Sequence, residues 1–152
     1  MAEAMIDRVS RDVLANLISS AKAGRIRSFE FEDLLLDLNL GSEDPVVAAF
    51  KATLHDIVDE QDGFLTSVLD HPESRARVAR WISFLKSDIE YRWPATRLPV
   101  GFLDTYRPTW FDKLLGKDVK IQHEIDLICQ SGDYRVWPYF NMAECGSGQE
   151  CS

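Results

Sequence analysis

The sequence lacks any apolar run near the roughly 18 residues that a membrane span requires. Pure apolar stretches such as Leu34–Leu36 last only a few residues. The first seven residues contain Glu3 and Asp7 and no apolar core of a secretory signal, so a cytoplasmic location is expected. Basic residues are in deficit: 17 Lys and Arg stand against 25 Asp and Glu, a net charge of −8. Such a surface repels phosphate backbones and anionic headgroups, which argues against nucleic-acid and membrane partners.

Motifs for common chemistries are missing too. There is no G-x-x-x-x-G-K-[ST] and no G-x-G-x-x-G, and five of the eight glycines (Gly24, Gly41, Gly63, Gly116, Gly132) read as helix stops. No G-x-S-x-G elbow is present. The three histidines are His55, His71 and His123, so none precedes the His55-Asp56 pair as an HD-type phosphohydrolase would need. Cysteine is scarce: three cannot all pair within one chain. Cys129, among Ile125, Leu127 and Ile128, is expected to be a small buried hydrophobe. Cys145 and Cys151 lack the C-x2-C zinc spacing and fit either a disulfide or a thiol pair. They fall in residues 143–152, expected to be a flexible tail after a single helical domain over 1–142.

What is present is a hydrophobic fraction of 45%, enough for a core, arranged with helical periodicity. Ile6, Val9, Val13, Leu17 and Ala21 make one stripe, flanked by Leu14 and Ile18 and ended by Gly24. Ser28 is placed to cap a second helix carrying Phe31, Leu34, Leu35 and Leu38, closed by Gly41. Asp44-Pro45 then reads as a cap and a preorganised first turn, opening a third helix whose core face is Val47, Phe50, Leu54, Ile57 and Val58. Phe64, Leu65, Val68 and Leu69 form a short fourth segment. The helix after Asp70-His71-Pro72 has two apolar sides, Val78/Trp81/Ile82/Leu85/Ile89 and Phe84/Tyr91, so the C-terminal chain should fold back over the second.

That C-terminal chain differs in kind, because 12 of the 16 aromatics fall between Trp81 and Phe140 among several helix-breaking prolines. Thr109 should cap a short helix through Leu115 that ends at Gly116. Val119–Cys129 fits either strand alternation or a helical face; helix, capped by Asp118 and stopped at Gly132, is favoured. The expected fold is therefore all-α, a helical bundle of about five to seven helices with an irregular aromatic segment. The alternative is α+β, with a hairpin around Ser131-Gly132-Asp133.

Charge is unevenly spread. Residues 28–74 hold twelve acids and one base, Lys51. This points to a non-catalytic binding protein, of regulator, adaptor or toxin-neutralising type, that needs no cofactor. It would hold a basic protein partner through Glu30, Glu32, Asp33 and Asp37, with Trp93 and Trp137 as exposed aromatic contacts. An alternative is a metal-dependent hydrolase: Lys51, His55, Asp59 and Asp62 share a helical stripe, with His55 and Asp59 as ligands from successive turns and Glu60 or Asp62 as base. A third reading is a small-molecule cleft among Tyr91, Trp93, Tyr106, Trp110, Tyr134, Trp137 and Tyr139, with Asp104 and Arg107 as polar groups. The basic residues Arg75, Arg77, Arg80, Lys86 and Arg92 read as surface charge, with Glu73–Arg77 and Asp88–Arg92 as helical pairs.

Overall fold

In the computed structural model the described residues are 5–38, 41–60, 72–96, 98–103 and 110–146. Among them the fold is all-α, with α1 (Arg8–Lys22), α2 (Ser28–Asp37), α3 (Pro45–Glu60), α4 (Pro72–Leu85), α5 (Trp110–Leu114), α6 (Lys117–Ser131) and α7 (Met142–Gly146). Two short 3-10 turns, Val100–Phe102 and Tyr134–Val136, interrupt the C-terminal chain. Val119–Cys129 is helical and no strand occurs among the described residues, so the hairpin alternative is not adopted. The proposed fourth segment at Phe64–Leu69, the Asp70-His71 cap, Asp104, Tyr106, Arg107 and Cys151 lie outside the described residues, as do the side chains of Ile57 and Val58.

Local chemistry sets the helix ends. The Asp7 carboxylate accepts the Ser10 amide at 3.0 Å and so caps α1, and Gly24 takes the left-handed conformation (φ 71°) beyond its last turn. Asp44 does the same for α3, accepting from the Val46 amide at 3.2 Å beside Pro45. For α2 the cap is Arg27, one residue before the expected Ser28; the Glu30 carboxylate reaches back to the Arg27 amide at 3.2 Å. Gly116 (φ 69°), not Asp118, precedes the first turn of α6 and lets the chain reverse from α5.

α1 lies against α4, α2 against α3, and α3 meets the turn at 100–102. The buried face of α1 is Arg11, Leu14, Ala15, Leu17, Ile18 and Ala21, while Val9 and Val13 are exposed. The helix is thus rotated by roughly a quarter turn from the stripe that apolar spacing alone selects. The cause is Arg11. Its Nε meets Asp44 Oδ2 at 2.6 Å, its Nη2 meets Oδ1 at 3.3 Å, and its Nη1 donates to the Ile89 carbonyl at 2.8 Å. Both partners are buried, and Asp44 also accepts the Asp7 amide at 3.1 Å. One ion pair therefore joins α1, the start of α3 and the chain leaving α4.

Aromatic rings fill the centre of the rest of the core, with aliphatic side chains around them. Phe50, Trp81 and Trp137 pack at centroid distances of 5.0 to 5.8 Å, and Tyr139 lies edge-on to Phe84 at 5.1 Å. α4 ends at Leu85, short of the expected Ile89 and Tyr91; Trp137 meets Tyr91 beyond that end and Tyr139 meets Phe84, so the C-terminal chain does cover these two rings. The Trp137-Pro138 bond is cis. Gly101 touches this cluster so closely that a Cβ would lie 2.5 Å from Thr53 Cγ2 and 2.7 Å from Trp81 Cζ2.

Candidate protein-binding surfaces

Helical register sorts the four acids of α2. Glu30, Asp33 and Asp37, spaced i, i+3 and i+7, share one stripe, and Leu34 lies beside it; Glu32 falls on the other side with Phe29 and Leu36. Phe31 and Leu35 fill the core, which leaves Phe29, Leu34 and Leu36 exposed. Expecting Leu34 in the core face is therefore incorrect, because a ten-residue helix buried along one narrow edge has room inside for two of its large side chains. Beside Leu34, α1 and α2 diverge into an apolar groove of about 420 Å³, lined by Val13, Leu17, Ile26, Leu34 and Leu38 with Asp37 among them. The rotation of α1 that buries Arg11 is what turns Val13 outward to form this wall. None of Glu30, Asp33 and Asp37 forms an ion pair among the described residues.

A second apolar surface sits at the α5–α6 corner. Trp110 is 70% exposed, Leu114 71% and Val119 71%, and Phe111 and Leu115 are also exposed. The Trp110 and Phe111 rings lie 4.7 Å apart. Lys113, Lys117 and Lys120 are exposed in the same stretch of chain, with Asp112 and Asp118 half-buried among them. The sequence places Trp110 among the aromatic cover, and only the tertiary arrangement separates this corner from the buried rings.

Trp93 and Trp137 are core side chains, 4% and 2% exposed, and have no surface to offer a partner. The Trp93 indole donates to the Pro138 carbonyl at 3.1 Å, and that of Trp137 to the Tyr91 hydroxyl at 3.2 Å. Burial pushes the Tyr91 hydroxyl above the ordinary phenol range, against the opposing effect of the Trp137 bond. These rings hold the C-terminal chain down, and Trp137 also lines a cleft with Trp81 and Tyr134. His55 is exposed on α3, one turn from Asp59, whose side chain is outside the described residues. Among the described residues no group of three or more His, Cys, Asp or Glu is placed to hold a metal ion.

Other candidates are redistributed. Cys129 is exposed, because α6 buries only Ile128 and packs Ile121 and Ile125 partly against the core. Cys145, in α7, is buried and disulfide-bonded, and Glu144 pairs with Arg92. Asp88 binds Arg8 at 3.1 Å in place of Arg92. Arg77 and Arg80 stand on one side of α4 in a cleft of about 520 Å³ over Trp81 and Trp137. Arg77 donates to the Gly101 carbonyl at 3.1 Å and Arg80 to that of Trp137 at 3.0 Å, which spends part of each guanidinium on fixing the C-terminal chain. Burial and the Arg77 charge both lower the Arg80 pKa.

No helix among the described residues is long and apolar enough to cross a membrane. No protein-family model matches the chain, and no curated protein and no solved structure proves similar to it. What the fold and its surfaces define, among the described residues, is an all-α chain with an apolar groove that Asp37 edges at one place and an exposed aromatic corner at another.

Proposed function

We propose that the chain is a non-catalytic binding protein that holds a basic protein partner in the groove between α1 and α2. The observation that carries this reading is the adjacency of charge and exposed apolar surface: Asp37 lines the groove with Leu34, Val13 and Ile26, and Glu30 and Asp33 share its stripe of α2. Apolar contact would supply affinity at the centre, and the carboxylates would steer a basic partner and make association sensitive to salt.

The test is capture from lysate by the tagged chain at about 50 and about 300 mM salt, with identification of whatever remains at near-equal stoichiometry. Wild type and Glu32→Gln should hold one basic partner at low salt. Leu34→Arg, and the triple variant Glu30→Gln/Asp33→Asn/Asp37→Asn, should lose it. A stoichiometric partner that the triple variant retains would overturn the reading.

A further inference from the structure

We infer that the cleft between α4 and the irregular C-terminal segment binds a small oxyanion, the carboxylate or phosphate group of an organic molecule, on the outer fork of the Arg80 guanidinium. This site is separate from the groove between α1 and α2, and neither depends on the other.

Arg80 is half-buried on α4, and its Nε donates to the Trp137 carbonyl at 3.0 Å. That bond occupies the inner side of the guanidinium and holds its plane. Among the described residues Nη1 and Nη2 donate to no acceptor, and no carboxylate pairs with the group. Neither atom is sealed from solvent. A cation drawn partly out of water ordinarily meets a carboxylate. What Arg80 lines instead is a cleft of about 520 Å³, within the range of small-molecule sites (about 300–1,000 Å³). The two Nη groups carry parallel N–H donors, which a carboxylate or phosphate meets with two oxygens at once.

The surroundings hold this fork in place and add charge. Arg77, three residues earlier on α4, lines the same cleft; it is engaged with the Gly101 carbonyl at 3.1 Å and otherwise, so it contributes charge and not free donors. Burial and the Arg77 charge both disfavour the Arg80 cation, and a bound anion offsets both. The Tyr134 hydroxyl accepts the Leu103 amide at 2.8 Å and donates to the Val100 carbonyl at 2.6 Å, which ties the turn at 134–136 to the wall at 100–103. Trp81 and Trp137 line the cleft beneath the arginines. Two acids count against the site. Glu73 lines the cleft, is exposed and forms no ion pair among the described residues. Asp133 neutralises Arg135 through bonds of 2.9 and 2.8 Å. Arg77 and Arg80 against Glu73 still leave a surplus of one positive charge on the lining. The net charge of −8 acts at longer range, where salt screens it beyond about 10 Å, whereas a small anion is held by direct contact.

The test is an NMR titration of the isotope-labelled full chain with inorganic phosphate and, separately, with benzoate, each exchanged for chloride at constant ionic strength. At least one anion should saturate with a Kd below about 10 mM and move the Arg80, Gly101, Tyr134 and Arg135 signals together. Which anion binds more tightly tells phosphate from carboxylate as the group recognised. Arg80→Gln, whose amide can still meet the Trp137 carbonyl, should bind at least about tenfold more weakly. Arg80→Lys keeps the charge without the fork and should fall between Arg80→Gln and wild type. Glu73→Gln, at an exposed position, removes the opposing carboxylate and should tighten binding about twofold. Circular dichroism checks that each variant folds. No saturation by either anion up to about 50 mM overturns the inference. So does binding that Arg80→Gln leaves unchanged, and so does a set of shifts centred on Lys113 and Lys117. If Arg80→Gln loses its helical signal, Glu73→Gln decides, and an affinity no higher than wild type overturns the inference.

Discussion

Between residues 8 and 54 the core side chains are mostly aliphatic, and one buried ion pair, Arg11–Asp44, sets how α1 sits on its neighbours. From Trp81 onward rings make up about half of the core side chains, and the chain is held by indole and guanidinium groups donating to backbone carbonyls of the irregular segment. The first region uses regular helices, whose amides satisfy themselves, so a single polar pair fixes orientation. The second has few regular elements, and its carbonyls need donors from outside. The two apolar surfaces follow from this division: rotating α1 exposes Val13 and creates the groove, while α5 and α6 pack so lightly that Trp110 and its neighbours stay outside.

The comparison is broken most severely by removing Arg11. Arg11→Ala should cost about 3–5 kcal/mol, because it strands a buried carboxylate. Asp44 also caps α3, so the double variant Arg11→Met/Asp44→Asn should recover only part of the loss. Chemical denaturation measures both. A cost below about 1 kcal/mol for Arg11→Ala, the value of a surface pair, would mean that the pair does not organise the N-terminal region.

On the aromatic side Gly101→Ala should cost about 1–3 kcal/mol, since the added methyl enters space held by Thr53 and Trp81 and both are packed. The same measurement on Gly24→Ala should give a strain cost from its positive φ with no collision, which separates backbone strain from crowding.

Much of the N-terminal architecture was legible. Asp44-Pro45, Gly24, Gly116 and Gly132 mark ends because capping and left-handed turns depend on neighbours a few residues away. The rotation of α1 was not legible, because the group that rotates it, Asp44, lies 33 residues from Arg11. The roles of the aromatics were hidden for the same reason. Trp137 and Trp110 are alike as residues, and only the meeting of Trp137 with Tyr91, 46 residues distant, makes one core and leaves the other outside. The acids of α2 were legible as a charged face, but the split between Glu32 and the other three, and the groove beside them, required the neighbouring helix.

A smaller effect concerns the cap of α1. Hydrogen bonds from the Ser10 amide and hydroxyl and from Ser42 lower the Asp7 pKa from 3.8 to about 2. A depressed folded pKa contributes stability that is present above the unfolded value and lost as pH falls through the folded one. Stability should therefore drop between about pH 4 and pH 2 in part through this group. Asp7→Asn should flatten that part of the profile, and Asp7→Ala should cost about 1 kcal/mol at neutral pH. An unchanged acid limb in Asp7→Asn would contradict the assignment. The smallest effect on stability should come from Glu30→Gln/Asp33→Asn/Asp37→Asn, within about 0.5 kcal/mol, because these side chains are exposed and Glu30 can still reach the Arg27 amide as Gln. A much larger loss would make them structural residues instead of a contact surface.

The most direct test of the groove between α1 and α2 is a titration of the isotope-labelled full chain with a helical peptide of Leu and Lys, followed by NMR. The account predicts shift changes concentrated at Val13, Leu17, Ile26, Leu34 and Leu38, fading as salt is raised to about 0.5 M. Changes centred on the Arg77 and Arg80 cleft, or none at all, would contradict it.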